Sequence, residues 1–475
     1  MTSQGPQRAI PRPSERRRDH YAIGSGLAFV PEPARTPASA PPSSEAGGKS
    51  LFLTIGVLGI LGSAIGFGFL GLTGREDTLL GLFIAPIFGF AAYFAIRRWV
   101  SRTQGEWLGA LVFAGMGVRL LAAVPRLMGG ADAPVYQSTG IRIAESLRSL
   151  NFAVETGRSI PGTGAVRYLT GIISVFTGSN YVTTFIVFVA FALIGQVAFL
   201  IGVRSTLTAR QFRLLAIMSM FSPTLAFWPS SIGKESPVLL GSGLVVLGAS
   251  RLYDRSWSGV PYVVFGVFAI GMVRPHVAMM ILVSVLVGLF ARRAHTRGRL
   301  FSHLTVLTVV VIGSMWAAGA SAELFGLESL DGLSDLNAAL DFTEDRTSQD
   351  NAQFVAARVE SFQDYPWAVL TVLFRPFPWE AASPVALLSS IEGVAMFLLL
   401  FRASPGLLLN LGGVLQRGQM LLATAYAAIF VFLFSAVGNF GILSRQRAQV
   451  VPFILLLIAF GIAVEGRRGR KSVVQ

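Results

Sequence analysis

The sequence predicts an all-α polytopic transmembrane helical bundle of about twelve spans, and three observations predict it. Apolar windows near span length recur from Leu51 to the C-terminal region. Charged residues make up only 13% of the 475, about half the share of a soluble domain. Arginine clusters fall on alternate connections between those windows. A single soluble core would have to bury nearly every helix all round. The mean hydropathy of +0.61 agrees with lipid as the solvent.

The spans follow in order. Leu51–Thr73 leads out, and Leu79–Ile96 returns to Arg97, Arg98 and Arg102. Leu108–Met128 leads out again into an external segment at 129–180, and Tyr181–Val203 returns to Arg204, Arg210 and Arg213. Leu214–Trp228 with Ile232–Ser250 forms a hairpin ending at Arg251 and Arg255. Val260–Val273 with His276–Phe290 forms another, ending at Arg292, Arg293, Arg297 and Arg299. Leu304–Ala320 leads to a second external region at 321–383, and Pro384–Phe401 returns to Arg402. Met420–Val437 goes out, and Val450–Val464 comes back to Arg467 and Arg468. Positive loops mark the cytoplasmic side, so both termini are expected there, in a bacterial inner membrane.

Residues 1–50 carry Arg8, Arg12 and Arg16 to Arg18, then a Pro/Ala/Ser tract. Nothing there builds a core, so a disordered cytoplasmic tail is expected. No apolar stretch follows the arginines directly, which argues against a signal peptide. The transmembrane domain is expected at 51–466 and a basic cytoplasmic C-terminus at 467–475. The formal charge of +14 comes from 39 Lys and Arg against 25 Asp and Glu. Because the cations sit in short loops, they report topology, and no nucleic-acid partner is expected. The absence of cysteine excludes disulfides and thiolate chemistry. Four histidines, His20, His276, His295 and His303, without an HExxH pattern, argue against a catalytic zinc.

Pro134–Leu150 and Gly164–Gly178 have helical apolar spacing and are expected to lie along the outer interface. Trp367–Trp379 is too short to span and carries Pro376 and Pro378, so it is expected to be re-entrant or interfacial. The acid-rich stretch Ala322–Pro366 lacks EF-hand spacing and is read as a solvated lid. A calcium or magnesium site in this stretch is the alternative, though no ligand spacing indicates one.

In lipid, an ionisable side chain either serves a site or reaches for the headgroups. Asp132 and Tyr136, Lys234 and Glu235, Arg274 and His276, Arg375 and Glu380, and Arg445 and Arg447 all fall at outer span ends. Interfacial snorkelling accounts for any one of them, and the set together is read as one shared polar site. Lys234 at the start of a helix suits an anion. Arginines offer bidentate donors to phosphate. Asp132 suits a general base, or alternatively a helix N-cap. A carboxylate beside cations at headgroup depth fits a polyprenyl phosphate or diphosphate carrying a sugar.

Gly130-Ala-Asp132-Ala-Pro-Val-Tyr136, followed by two interfacial helices and a span, resembles the first external loop of GT-C-fold membrane glycosyltransferases. Four further segments resemble a bacterial family of polysaccharide-locus membrane proteins. They are Trp228-Pro-Ser-Ser-Ile-Gly-Lys234-Glu235, Val273-Arg274-Pro-His276, Phe374-Arg375-Pro-Phe-Pro-Trp-Glu380 and Gly438-Asn-Phe-Gly-Ile-Leu-Ser-Arg445-Gln-Arg447. The last is also similar to the terminal arginine segment of Wzy-type polysaccharide polymerases. The resemblance implies a transferase or polymerase that uses a polyprenyl-linked sugar and a polysaccharide acceptor. Asp132 would be its base, and Lys234, Arg274, Arg445 and Arg447 would hold the diphosphate. Tyr136, Arg375 and Glu380 would orient donor or acceptor, and no cofactor is expected. Two alternatives are a flippase for the same material and a non-catalytic component of an export complex. Arg119 is the main charge expected within a span.

Overall fold

The computed structural model describes residues 43–74, 76–129, 132–290, 313, 315, 319, 321, 333–347 and 353–468. Their regular structure is helical throughout, apart from one isolated antiparallel bridge between Gln353 and Asn439. In chain order the longer helices are α1 (Ser43–Leu72), α2 (Gly81–Gln104), α3 (Glu106–Met128), α4 (Asp132–Arg148), α5 (Thr163–Thr177) and α6 (Tyr181–Val203). Then come α7 (Ala209–Phe221), α8 (Pro223–Phe227), α9 (Glu235–Tyr253), α10 (Val260–Gly271), α11 (Pro275–Phe290) and α12 (Leu333–Thr347). The last are α13 (Tyr365–Phe374), α14 (Pro384–Leu409), α15 (Leu411–Leu415), α16 (Gly418–Phe434), α17 (Phe440–Gln446) and α18 (Val451–Arg468).

Six helices among the described residues are long and apolar enough to cross a membrane: Gly48–Leu72, Glu76–Ala95, Glu106–Met128, Tyr181–Thr206, Glu235–Tyr253 and Pro384–Leu409. Phe440–Gln449 and Val451–Ile462 qualify as a pair, bent by 62°. Trp257–Gly271, Pro275–Leu289 and Gly418–Phe434 are apolar but shorter, where a full crossing takes about 20 residues. They stand where Val260–Val273, His276–Phe290 and Met420–Val437 were expected. Leu304–Ala320, His295, His303 and most of the acidic loop lie outside the described residues, as does most of the tail. Several boundaries move. The first helix begins at Ser43 rather than Leu51, and α9 begins at Glu235, which leaves Lys234 in the preceding turn.

The expected span Leu214–Trp228 is broken. Pro223 has no N–H to continue α7, and the residue before a proline is pushed out of helical geometry. Ser222 accordingly has ψ 121°, and its hydroxyl accepts from Leu225 N at 3.4 Å to start α8. Both sides of the break are held by charge. Arg119 of α3 donates to the carbonyls of Met220 at 3.0 Å and Ser219 at 3.3 Å. Glu392 of α14 accepts from Thr224 N at 2.8 Å and from the hydroxyls of Ser222 and Thr224. A cation thus meets free carbonyls and a carboxylate meets free amides, as the helix dipole favours.

The central helices approach through glycine, the usual means of close packing in lipid. A Cβ on Gly243 of α9 would stand 1.8 Å from the carbonyl oxygen of Gly195 on α6, and one on Gly406 of α14 would stand 2.0 Å from that of Gly461 on α18. The apolar window of α9 is 83% buried, while those of Glu76–Ala95 and α14 are 22% buried. The outer helices therefore present Phe83, Ile87, Leu387 and Ile391 bare, a face suited to lipid.

Between α3 and α6, the two helices expected there form as α4 and α5. They meet closely, since a Cβ on Gly140 would stand 2.6 Å from Thr170 and one on Gly171 2.4 Å from Ile143. Tyr136, Ile143 and Ala144 are the buried face of α4. Asp132 opens that helix directly beyond the end of α3.

Candidate functional site

A cavity of about 740 Å³ opens where the end of α3, the start of α4, α8, α14 and α17 meet. Its polar lining includes Arg126, Asp132, Arg445, Glu380, Gln353 and Asn439. Its apolar lining includes Phe227, Trp228, Ile232, Val385, Ala386 and Phe440. Local structure fixes these groups firmly. The turn before α9 is tied by Ser236 Oγ to the Pro229 carbonyl at 2.6 Å and by Ser230 Oγ to that of Ala226 at 2.6 Å. Asn439 caps α17 by accepting from Ile442 N at 3.1 Å. Phe354 N donates to the Gly438 carbonyl at 2.9 Å, which pins the segment before α13 onto the start of α17.

Arg445 is the hub. Its Nη1 donates to Asp132 Oδ2 at 2.8 Å, its Nε to Glu235 Oε1 at 2.6 Å and its Nη2 to Glu235 Oε2 at 3.2 Å. Arg274 Nη2 donates to the same Glu235 Oε1 at 2.7 Å. Four segments far apart in the chain thus close into one ionic chain. The two carboxylates differ in access: the Asp132 side chain is 55% exposed and that of Glu235 only 3%. Asp132 is open to a ligand, while Glu235 serves to bind the two arginines to each other. Gly233 makes room for this. A Cβ there would stand 2.9 Å from Glu235 Oε2 and 3.5 Å from Arg445 Nη2.

The remaining expected residues sit as follows. Tyr136 is buried beside the cluster, and burial, then the Asp132 charge, push its phenol above the usual value. It therefore stays a donor. The Lys234 side chain makes no hydrogen bond or ion pair among the described residues; burial, then the Arg274 charge, push it down to about 8. His276 is half-buried at the start of α11, its ring 6.3 Å from that of Phe434.

Arg375 and Glu380 form a separate fork at the cavity's edge, with Nε 3.0 and 3.1 Å from the two carboxylate oxygens. Burial alone would raise the Glu380 carboxyl, but the Arg375 and Phe377 N–H bonds and the Arg375 charge hold it below the usual range. The Arg375 guanidinium lies 4.4 Å from the Phe354 ring centroid and 5.3 Å from that of Phe440.

Arg447 stands apart from the phosphate-binding role its spacing suggested. It is 2% exposed, donates to the Leu373 carbonyl at 2.9 Å and to Ser444 Oγ at 3.1 Å, and does not line the cavity. Residues two apart on a helix do not share a face, so Arg445 turns to the cavity and Arg447 to the backbone of α13. The charge within a span, Arg119, is likewise fully buried on carbonyls of α3 and α7.

Arg126 was not singled out in the sequence, because at the end of an apolar window it looks like an ordinary snorkelling cation. Here it lines the cavity, 5.2 Å from the ring centroids of both Phe227 and Trp228. It makes no hydrogen bond or ion pair among the described residues, and its Nε is buried without a partner. Among the described residues no three His, Asp or Glu side chains are grouped to hold a metal ion. Comparison with known protein families, curated proteins and solved structures finds no match for this chain.

Proposed function

We propose that the chain is an integral-membrane glycosyltransferase or polysaccharide polymerase that takes sugar from a polyprenyl-phosphate or polyprenyl-diphosphate donor at the extracytoplasmic face. The span count of about twelve, the inner-membrane location and the cytoplasmic termini belong to this proposal; the alternation of arginine clusters supports them. The observation that carries the reading is the 2.8 Å pair of Asp132 and Arg445 on the wall of a cavity that is cationic at one side and apolar at another. An amphiphile with an anionic head needs both.

In this reading Asp132 takes the proton of an acceptor hydroxyl. The freed oxygen bonds to the anomeric carbon as that carbon's bond to the phosphate oxygen breaks. The lipid phosphate leaves with the electron pair, and its charge is met by guanidinium donors already in place. Among the described residues Asp132 Oδ1 makes no hydrogen bond, so one carboxylate oxygen is available while Arg445 holds the other. Glu235 and Arg274 position Arg445. A transporter would carry its polar groups on broken helices near the midplane. Of the two broken helices among the described residues, α7 with α8 has its charges sealed onto backbone, while the pair bent by 62° carries Arg445, held to the half-exposed carboxylate of Asp132 that serves as base, so the transferase reading is preferred.

Deleting the gene in its native host tests the proposal. Accumulation of lipid-linked saccharide, with loss of the surface polymer and restoration by the wild-type gene but not by Asp132→Asn, is expected. Unchanged lipid-linked saccharide and unchanged polymer on deletion would overturn it.

A further inference from the structure

We infer that Arg126, seated on Phe227 and Trp228, is the group that receives the anion: a phosphate or diphosphate that enters the cavity and is shared with Arg445. This deepens the function proposed above and rests on its reading of the cavity, but it concerns binding and requires no turnover.

The argument starts from what each cation already holds. Arg274 and Arg445 are engaged by Glu235, and Arg445 also by Asp132. Arg375 is engaged by Glu380, while Arg119 and Arg447 are engaged by carbonyls. Of the two cations that line the cavity, Arg126 and Arg445, Arg126 alone lacks any such partner among the described residues; Lys234, also without one, does not line it. Its neighbours orient it without neutralising it, because an aromatic face attracts a guanidinium and leaves its N–H donors unused.

Charge balance points the same way. Among the described residues Arg126, Lys234, Arg274 and Arg445 interact with two carboxylates, Asp132 and Glu235. Arg126 and Arg445 repel each other across the cavity, and a bridging anion turns that repulsion into two attractions. A planar fork matches phosphate oxygens in pairs, which a lysine at the same place does not. Beyond the anion, Val385, Ala386 and Ser389 of α14 form a wall one helix thick, whose far side exposes Leu387, Leu388 and Ile391. An apolar tail on the anion therefore has a short way out to lipid.

The test uses purified full-length protein with three probes: a polyprenyl phosphate, the neutral polyprenol of the same length, and inorganic pyrophosphate. Native mass spectrometry reads the lipids, and calorimetry reads pyrophosphate. Wild type should retain the lipid phosphate over the polyprenol. Arg126→Gln should bind the lipid phosphate roughly 10- to 100-fold more weakly, the span of a charged hydrogen bond or two, with Arg126→Lys between them. A lipid phosphate that binds much more tightly than pyrophosphate identifies a lipid-borne anion, and equal binding identifies a free one; both support the seat.

As a check that needs no variant, pyrophosphate should protect Arg126 of wild-type protein from phenylglyoxal, read by peptide mapping. Unchanged lipid-phosphate affinity in Arg126→Gln, no preference for phosphate over polyprenol in wild type, or unprotected Arg126 would each overturn the inference. Firm anion binding at Arg126 without any sugar transfer would leave this seat standing and remove the catalytic reading alone.

Discussion

Arg119 and Arg274 are both almost wholly buried, yet they stand in opposite surroundings. Arg119 is met by the carbonyls of Gly115 at 2.7 Å, Met220 at 3.0 Å and Ser219 at 3.3 Å and by the Gln196 side chain. It closes a helix break, and it does not line the cavity that Asp132 and Arg445 share. Arg274 is met by Glu235, which also holds Arg445, which in turn holds the half-exposed Asp132. That chain of charge runs from the interior to the cavity wall. Burial of an arginine therefore does not mark a site by itself. What marks one is a partner that can be exchanged for a ligand: Asp132 can give up Arg445 to an anion, whereas a helix end cannot give up its cap.

The largest expected effect lies in the open cluster. Glu235→Gln leaves the buried Arg274 guanidinium facing the part-exposed Arg445 without a carboxylate between them, and about 3–5 kcal/mol of stability should be lost. Thermal unfolding in nanodiscs measures it, and adding Arg274→Gln should restore part. A single variant as stable as wild type would mean that charge does not hold the cluster. Next, Arg119→Met strips donors from the α7 end and should cost about 1–3 kcal/mol with phosphate affinity unchanged. A loss of affinity at unchanged stability would instead merge the two regions into one site.

Gly243→Ala drives a methyl into the Gly195 carbonyl and should cost about 1–3 kcal/mol, read by the same unfolding curve. Wild-type stability there would show that α6 and α9 are free to part. The smallest effect is electrostatic. Lys234, held down to about 8, loses its charge as pH rises through that value, so phosphate affinity should weaken a few-fold toward alkaline pH. The ligand-free protein should gain stability over the same rise, because the unfolded chain binds the extra proton. Lys234→Met should flatten both slopes, and slopes that persist in it would belong to another group.

Much of this was legible in the residues. The apolar windows, the two helices after α3 and the proline-broken segment near Arg375 were all readable, and so was the grouping of Asp132, Glu235, Arg274 and Arg445. The lengths of the membrane helices were less so, because Pro223 and the turn before Glu235 cut apolar runs that a hydropathy window joins. Arg447 was misjudged as a ligand group, although its spacing from Arg445 already pointed it elsewhere. Arg126 was invisible for a different reason. Its significance comes from Phe227 and Trp228, which lie about a hundred residues away and meet it only when α8 folds back over the end of α3.

The most direct test is turnover by purified protein supplied with a polyprenyl-diphosphate-linked saccharide and an acceptor, with wild type compared against Asp132→Asn. Wild type should release the lipid diphosphate as product forms. The variant should bind donor and remain folded, but turn over about 100-fold or more slowly, as loss of a general base requires. Equal turnover by the two proteins would contradict the role given to Asp132 and, with it, the catalytic reading of the cavity.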